Sequence, residues 1–342
     1  MYVRDIKIDG LKLLRNFELD FTRDGEPRMW TVLVGRNGLC KTSILRAIAL
    51  AASGQVLANQ LSEDWLGSIA DRRSSRRVRK TEIDSTFALL DPALRPATLW
   101  TTLSLHPHQR SLRGLNYFLS ETEALSRERA EYTKRAEQAE RSGVIAREGS
   151  SFDDDPENRE DQDRDPLDIA RDSAKPHWFV AAYGTHRLLP QPGHSPDPAD
   201  FVRVRMESLF DRGRVIGTDF ASHFEGKQAE TYSRCLHHAM LNHADLLPGV
   251  RDFELRGHGG ANAADRLVMK HRFNTSAGEK TLDVPATWLS HGYQATIAWL
   301  ADLVGHILWE ANAAGASLDI DPGQMEGLVL IDELDLHLHP SW

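Results

Sequence analysis

Eight residues, Gly35-Arg36-Asn37-Gly38-Leu39-Cys40-Lys41-Thr42, follow the apolar run Trp30–Val34 and precede the helix-forming stretch Ser43-Ile-Leu-Arg-Ala-Ile-Ala-Leu-Ala. A buried strand feeding such a loop lets its backbone N–H groups cradle a β-phosphate. Lys41 is placed to reach the β- and γ-phosphates, and Thr42 to offer its hydroxyl to Mg²⁺. Ser43 opens the helix, whose positive N-terminal end faces the same anion. The loop departs from the pattern G-x-x-x-x-G-K-[ST] at Cys40, where glycine is usual. A side chain there crowds the approach of backbone to phosphate, and the position at a helix N-terminus favours its thiolate.

The far end of the chain carries the complementary chemistry. Residues 327–333, Gly-Leu-Val-Leu-Ile-Asp-Glu, read as a buried parallel strand that delivers two acids to its C-terminal edge. Asp332 would hold Mg²⁺ through water, and Glu333 would polarise an attacking water as general base, with Lys41 as its catalytic partner. Between these ends, Leu289-Ser-His-Gly-Tyr-Gln294 precedes an apolar helix beginning at Ala295. Ser290, Gly292 and Gln294 form a second anion site from a hydroxyl, free N–H groups and a helix dipole.

These three motifs together resemble a known family. Leu-Ser-His-Gly-Tyr-Gln is similar to the L-S-x-G-x-Q signature of ABC-class ATPase heads. Ile331-Asp-Glu-Leu-Asp-Leu-His-Leu-His-Pro340 resembles the D-E-x-x-x-H-L-H-P form found in the RecF, SMC and OLD-nuclease group, and especially in AAA-type ATPases of bacterial anti-phage systems. Tyr2–Ile8, Leu14–Phe21 and Phe179–Arg187 also resemble segments of that group. The resemblance implies an α/β P-loop fold with a central, mostly parallel sheet, an N-terminal antiparallel β lobe and a helical insertion. It implies ATP and Mg²⁺ as ligands and ATP hydrolysis as the reaction. It further implies a homodimer or higher even oligomer in which Ser290, Gly292 and Gln294 cap the nucleotide held by a second copy. A separate effector protein is the partner such systems imply. A DNA-repair head and a non-hydrolysing nucleotide scaffold are the alternative readings. Such heads continue with another helix and strand, whereas this chain stops nine residues after Glu333, which reads as a truncation of a single head spanning 1–342.

Bulk properties set the frame. The chain has 342 residues, 41 % hydrophobic and 27 % charged, in the globular range. A net charge of −9 leaves DNA binding to a local basic patch. Six basic residues in 71–80 read first as a solvated loop or edge strand, with such a patch as the alternative. Cys40 and Cys235 have no metal spacing and fit a reducing compartment. Neither a signal peptide nor a membrane span is legible, so the expected setting is the cytoplasm.

Alternation predicts half-buried antiparallel strands at Tyr2–Ile8 and Phe17–Phe21; Thr81–Leu90, Thr98–Leu105 and Phe179–Tyr183 read as further strands, and 252–284 as a hairpin. A His-rich helix containing His237, His238 and His243 is expected over 227–247; neighbouring His237 and His238 face different sides, which disfavours a metal site. Residues 121–175 form the expected insertion. A charged helix at 121–141, or a short coiled-coil arm, leads into 153–168, where nine acids and almost no apolar side chains predict a flexible loop.

Overall fold

The computed structural model describes residues 1–69, 80–89, 98–106, 111–119, 167, 170, 178–190, 196–211, 216, 218–242, 247, 249–255, 267–276, 278–313 and 327–334. The expected insertion except Leu167 and Ala170, the basic run before Lys80 and the histidines at 243, 337 and 339 lie outside them. The chain divides into two compact units, Met1–Val180 with Glu326–Leu328, and Ala181–Met325 with Val329–Trp342. Among the described residues, no helix is long and apolar enough to cross a membrane.

The first unit is built on a five-stranded antiparallel sheet. Strands β1 (Tyr2–Asp9), β2 (Phe17–Asp20), β5 (Thr81–Ala88), β6 (Thr98–Leu105) and β7 (Arg113–Leu119) lie in the order β2-β1-β5-β6-β7. β3 (Thr22–Arg23) and β4 (Glu26–Pro27) make a small hairpin apart from it. Strict alternation in β1 would send Val3 and Ile6 to opposite faces, yet Val3, Ile6 and Ile8 are all buried. A register shift between Val3 and Asp5 resolves this, because one extra residue flips the parity of everything after it. Helix α1 (Lys41–Ile69) packs on β5, β6 and β7 through Ala47, Ile48, Ala51 and Ala58. The helix is broken at Gly54, where φ is 70° and ψ 170°. Polar side chains pin its second half to the sheet. Asn59 accepts from the Leu112 amide at 2.7 Å and donates to the Leu112 carbonyl at 3.0 Å, while Gln55 accepts from the Gly114 amide at 2.8 Å.

The second unit surrounds an apolar helix. α2 (Phe201–Phe210), a single turn at Phe220–His223 and α3 (Gly226–His237) precede an antiparallel sheet of β9 (Val250–Leu255), β10 (Leu267–Thr275) and β11 (Gly278–Pro285), ordered β11-β10-β9. α4 (His291–Ala313) buries Ile297, Leu300, Val304 and Leu308 in one core with Phe201, Phe220, Phe224, Tyr232, Leu236 and Phe253. Phe220 lies so close to Gly305 that a Cβ built there would sit 2.0 Å from the ring. Polar groups are buried here too. Tyr183 donates to Asp302 at 2.9 Å, Arg205 pairs with Glu310, and His306 lies between the Phe201 and Phe220 rings, at 5.4 and 4.9 Å.

β8 (Val180–Tyr183) and β12 (Leu328–Ile331) pair with each other. Leu328 donates to Phe179 at 2.8 Å and Asp332 to Tyr183 at 2.9 Å. The partners advance together by four residues, which makes the pair parallel. The described sheets are thus mainly antiparallel, and parallel pairing is confined to this two-stranded element. β12 is also less enclosed than its sequence suggests, since Leu330 is its one fully buried residue.

The Gly305 contact yields a stability prediction. Gly305→Ala should destabilise the protein by about 1–3 kcal/mol, because the methyl group must displace the Phe220 ring from a packed core. Urea unfolding checks this, and an unchanged midpoint would contradict the packing described.

Candidate functional site

The phosphate-loop residues belong to the first unit, and they differ from expectation before they agree with it. Trp30–Val34 joins no sheet among the described residues, and Trp30, Val32 and Val34 are 79, 75 and 91 % exposed. β-branched residues favour a pleated surface but do not supply a neighbour, and an extended run becomes a strand only when its amides find one. The expectation of a buried strand ahead of the loop is therefore corrected. The loop itself runs into a helix, as its spacing predicts. Gly35, Arg36, Asn37, Gly38 and Leu39 are exposed, Cys40, Lys41 and Thr42 half-buried, and Ser43 buried. α1 begins at Lys41, with Ile44 donating to the Cys40 carbonyl at 2.9 Å, so the amides of Lys41, Thr42 and Ser43 lie ahead of that first helical bond.

Two features of the loop bear on chemistry. Lys41 turns its ammonium back across it, donating to the carbonyls of Gly35 at 2.6 Å and Arg36 at 3.2 Å. This holds a positive charge against the loop's own backbone. Cys40 has φ of 62°, in the left-handed region where a Cβ costs about 1 kcal/mol. The conformation belongs to glycine, so Cys40 carries out the backbone role of the residue it replaces and holds strain in doing so.

The acid turn and the signature belong to the second unit. Asp332 is buried, whereas Glu333 is exposed and also left-handed, with φ of 48°. What holds this turn is a residue to which the sequence reading gave no role. Arg187, 2 % exposed, donates to the carbonyls of Gly184 at 3.0 Å, Asp332 at 2.7 Å and Glu333 at 2.9 Å. A guanidinium offers five donors in a rigid fork, which suits it to gripping successive carbonyls. Gly184 permits the approach, because a Cβ there would lie 2.1 Å from the Ser208 carbonyl oxygen. The signal was present in the segment Phe179–Arg187, but contact with an acid turn 145 residues away is invisible to local pattern.

The signature residues gather at the start of α4. Ser290 is exposed, and its carbonyl accepts from the Gln294 amide at 3.0 Å, making it the residue before the first turn. The Gln294 side chain donates to the carbonyls of Thr287 at 2.9 Å and Leu289 at 2.8 Å. Gly292 accepts from the Thr296 hydroxyl at 3.0 Å. Gln294 thus shapes the turn that presents Ser290. The same helix reaches β8, because Tyr183 bonds Asp302 and its ring lies 6.2 Å from that of Trp299.

No family model and no curated protein matches the sequence. Among solved structures, the chain is similar to the SMC head bound to the C-terminal winged-helix domain of ScpA. The identity is 14 %, the TM-score 0.40, and the match covers 98 % of this chain and 91 % of that one. It is also similar to a chain from work on ATP-driven dimerization and DNA-stimulated activation of SMC ATPases. There the identity is 19 %, the TM-score 0.26, and the match covers 33 % of this chain and 69 % of that one. Both TM-scores lie below 0.5, so the residues above carry the functional reading.

Arg187 supplies the test of the acid turn. Arg187→Gln should cost about 2–5 kcal/mol of stability, since buried carbonyls lose charge-assisted partners. Amide hydrogen exchange at Asp332 and Glu333 should accelerate more than exchange in β10. Unchanged exchange at both residues would remove Arg187 from its positioning role.

Proposed function

We propose that the chain is an ABC-type ATPase head that binds Mg-ATP on residues 35–43 and hydrolyses it between two copies of itself. The observation that carries this reading is the loop at the start of α1. Its lysine ammonium is held over the backbone by two carbonyls, and a non-glycine residue is forced into the backbone conformation that a phosphate cradle needs. Gly35 to Ser43 would hold the phosphates, and Thr42 would offer its hydroxyl to Mg²⁺. When bound, the metal supplies Lewis-acid charge at the phosphoryl oxygens.

The chain's own residues supply the rest. Lys41 offsets the negative charge of the phosphates. Glu333 accepts the proton of a water and is presented to solvent by a turn whose carbonyls Arg187 fixes. Ser290, Gly292 and Gln294, at an exposed helix start, cap the nucleotide held by the partner copy. This makes the nucleotide a bridge in a two-fold pair with equivalent sites. By its motifs the head serves as the ATPase component of a bacterial defence system, acting on a separate effector protein.

The dimer gives the experiment. A Glu333→Gln protein with Mg-ATP should elute at twice the chain mass of 38.4 kDa by light scattering, because binding is kept while the bridging charge is not removed. Adding Ser290→Arg should return it to one chain mass. A species that stays monomeric with saturating Mg-ATP would overturn the paired arrangement.

A further inference from the structure

The second unit holds a cavity of about 70 Å³ between α3, α4 and the segment Thr218–Ala221. Its walls are mostly apolar, including Phe220, Tyr232, Leu236, Leu255 and Ala298. It reaches solvent beside the exposed Thr287 and the half-buried Leu189. Two polar side chains in its wall are deeply buried and incompletely bonded. Asp302 is 3 % exposed and Thr218 2 % exposed, and neither Asp302 Oδ1 nor Thr218 Oγ1 has a hydrogen-bond partner. Native interiors rarely leave such atoms unbonded, because each costs a full desolvation penalty. Asp219 adds a second carboxylate to the lining, with the Ser222 hydroxyl donating to it, and among the described residues no lysine, arginine or histidine lines the cavity.

We propose that this cavity is a binding site for a small primary ammonium ion with a short apolar body. The ammonium would donate to Asp302 Oδ1 and Thr218 Oγ1, and the alkyl part would fill the apolar wall. A volume of 70 Å³ is about half that of an engineered cavity that holds benzene, so the fitting ligand has about three heavy atoms. A neutral alcohol of the same shape would fill the space but leave the carboxylate uncompensated. An anion would face two carboxylates.

The groups around Asp302 set the pH dependence. Burial raises its carboxyl to about 7, against the Tyr183 hydrogen bond and the nearby Arg205 guanidinium, which both lower it. Burial also holds His306, whose Nε2 lies 3.5 Å from Asp302 Oδ2, neutral to well below its ordinary range. Burial keeps Tyr183 and Tyr232 protonated well above theirs. Arg205 is paired with Glu310. The free carboxyl therefore ionises as pH rises through about 7. A ligand that needs the ionised form binds about tenfold more tightly at pH 8 than at pH 6.

The test is an NMR titration of the full chain with ethylammonium chloride, reading the methyl resonances of Leu236 and Leu255. Saturable shifts are expected, tighter at pH 8 than at pH 6 by about tenfold. Asp302→Asn should weaken binding by about 10- to 150-fold, and ethanol should bind at least tenfold more weakly than the amine. Thr218→Val keeps the shape of the wall and guards against misfolding of the first variant. It should weaken binding several-fold with the spectrum otherwise unchanged. Absence of saturable methyl shifts, equal affinity for ethanol, or unaltered binding by both variants would each overturn the proposal. Lys41→Ala should bind the amine as the parent does, so the result stands apart from the nucleotide reading.

Discussion

A buried guanidinium must place its donors on protein acceptors, since water is not there to take them. Arg187 places them on Gly184, Asp332 and Glu333. That set of bonds joins the loop leaving β8 to the turn leaving β12 and holds the two acids in sequence. The parallel ladder fixes the amide of Asp332 from one side, and Arg187 fixes its carbonyl from the other. With both backbone groups of Asp332 committed, its buried side chain has a defined origin. Glu333 is left in a strained, left-handed conformation that projects it to solvent. Strain of this kind persists only where surrounding structure over-determines it. Here the guanidinium supplies that constraint.

The other two motifs are positioned by similar economies. Lys41 spends donors on loop carbonyls and thereby carries its charge to the loop. Gln294 spends both amide protons on the turn before α4 and thereby sets where Ser290 stands. In each case a side chain named in the motif acts first on the backbone of its own loop. α4 then connects the signature to β8 through Tyr183 and Asp302, so the signature helix and the acid turn share one supporting strand.

Much of this was legible in sequence where local pattern governs. Alternation located β1 and β2, and composition located β5 and β6, where β6 matches the expected span Thr98–Leu105 and is buried along nearly all of its length. The motif spacing located the loop, the signature and the acids, because a helix start or strand end needs few residues to declare itself. Three things were not legible. The shift at Val3 in β1 depends on pairing with β5, and α2 carries charged Arg203, Arg205 and Glu207 that mask its apolar side until Arg205 is seen paired with Glu310. The role of Arg187 depends on a contact across 145 residues. Trp30–Val34 reads as a buried strand because its composition is that of one, yet exposure is decided by neighbours and not by propensity.

The account stands or falls on whether residues 35–43 hold the phosphates. Equilibrium titration of the full chain with a fluorescent ATP analogue and Mg²⁺, competed with ATP, measures this directly. Lys41→Ala removes a charge-assisted contact and should weaken binding by about 10- to 150-fold, with its unfolding midpoint close to that of the parent. A Lys41→Ala protein that binds Mg-ATP as tightly as the parent would contradict it.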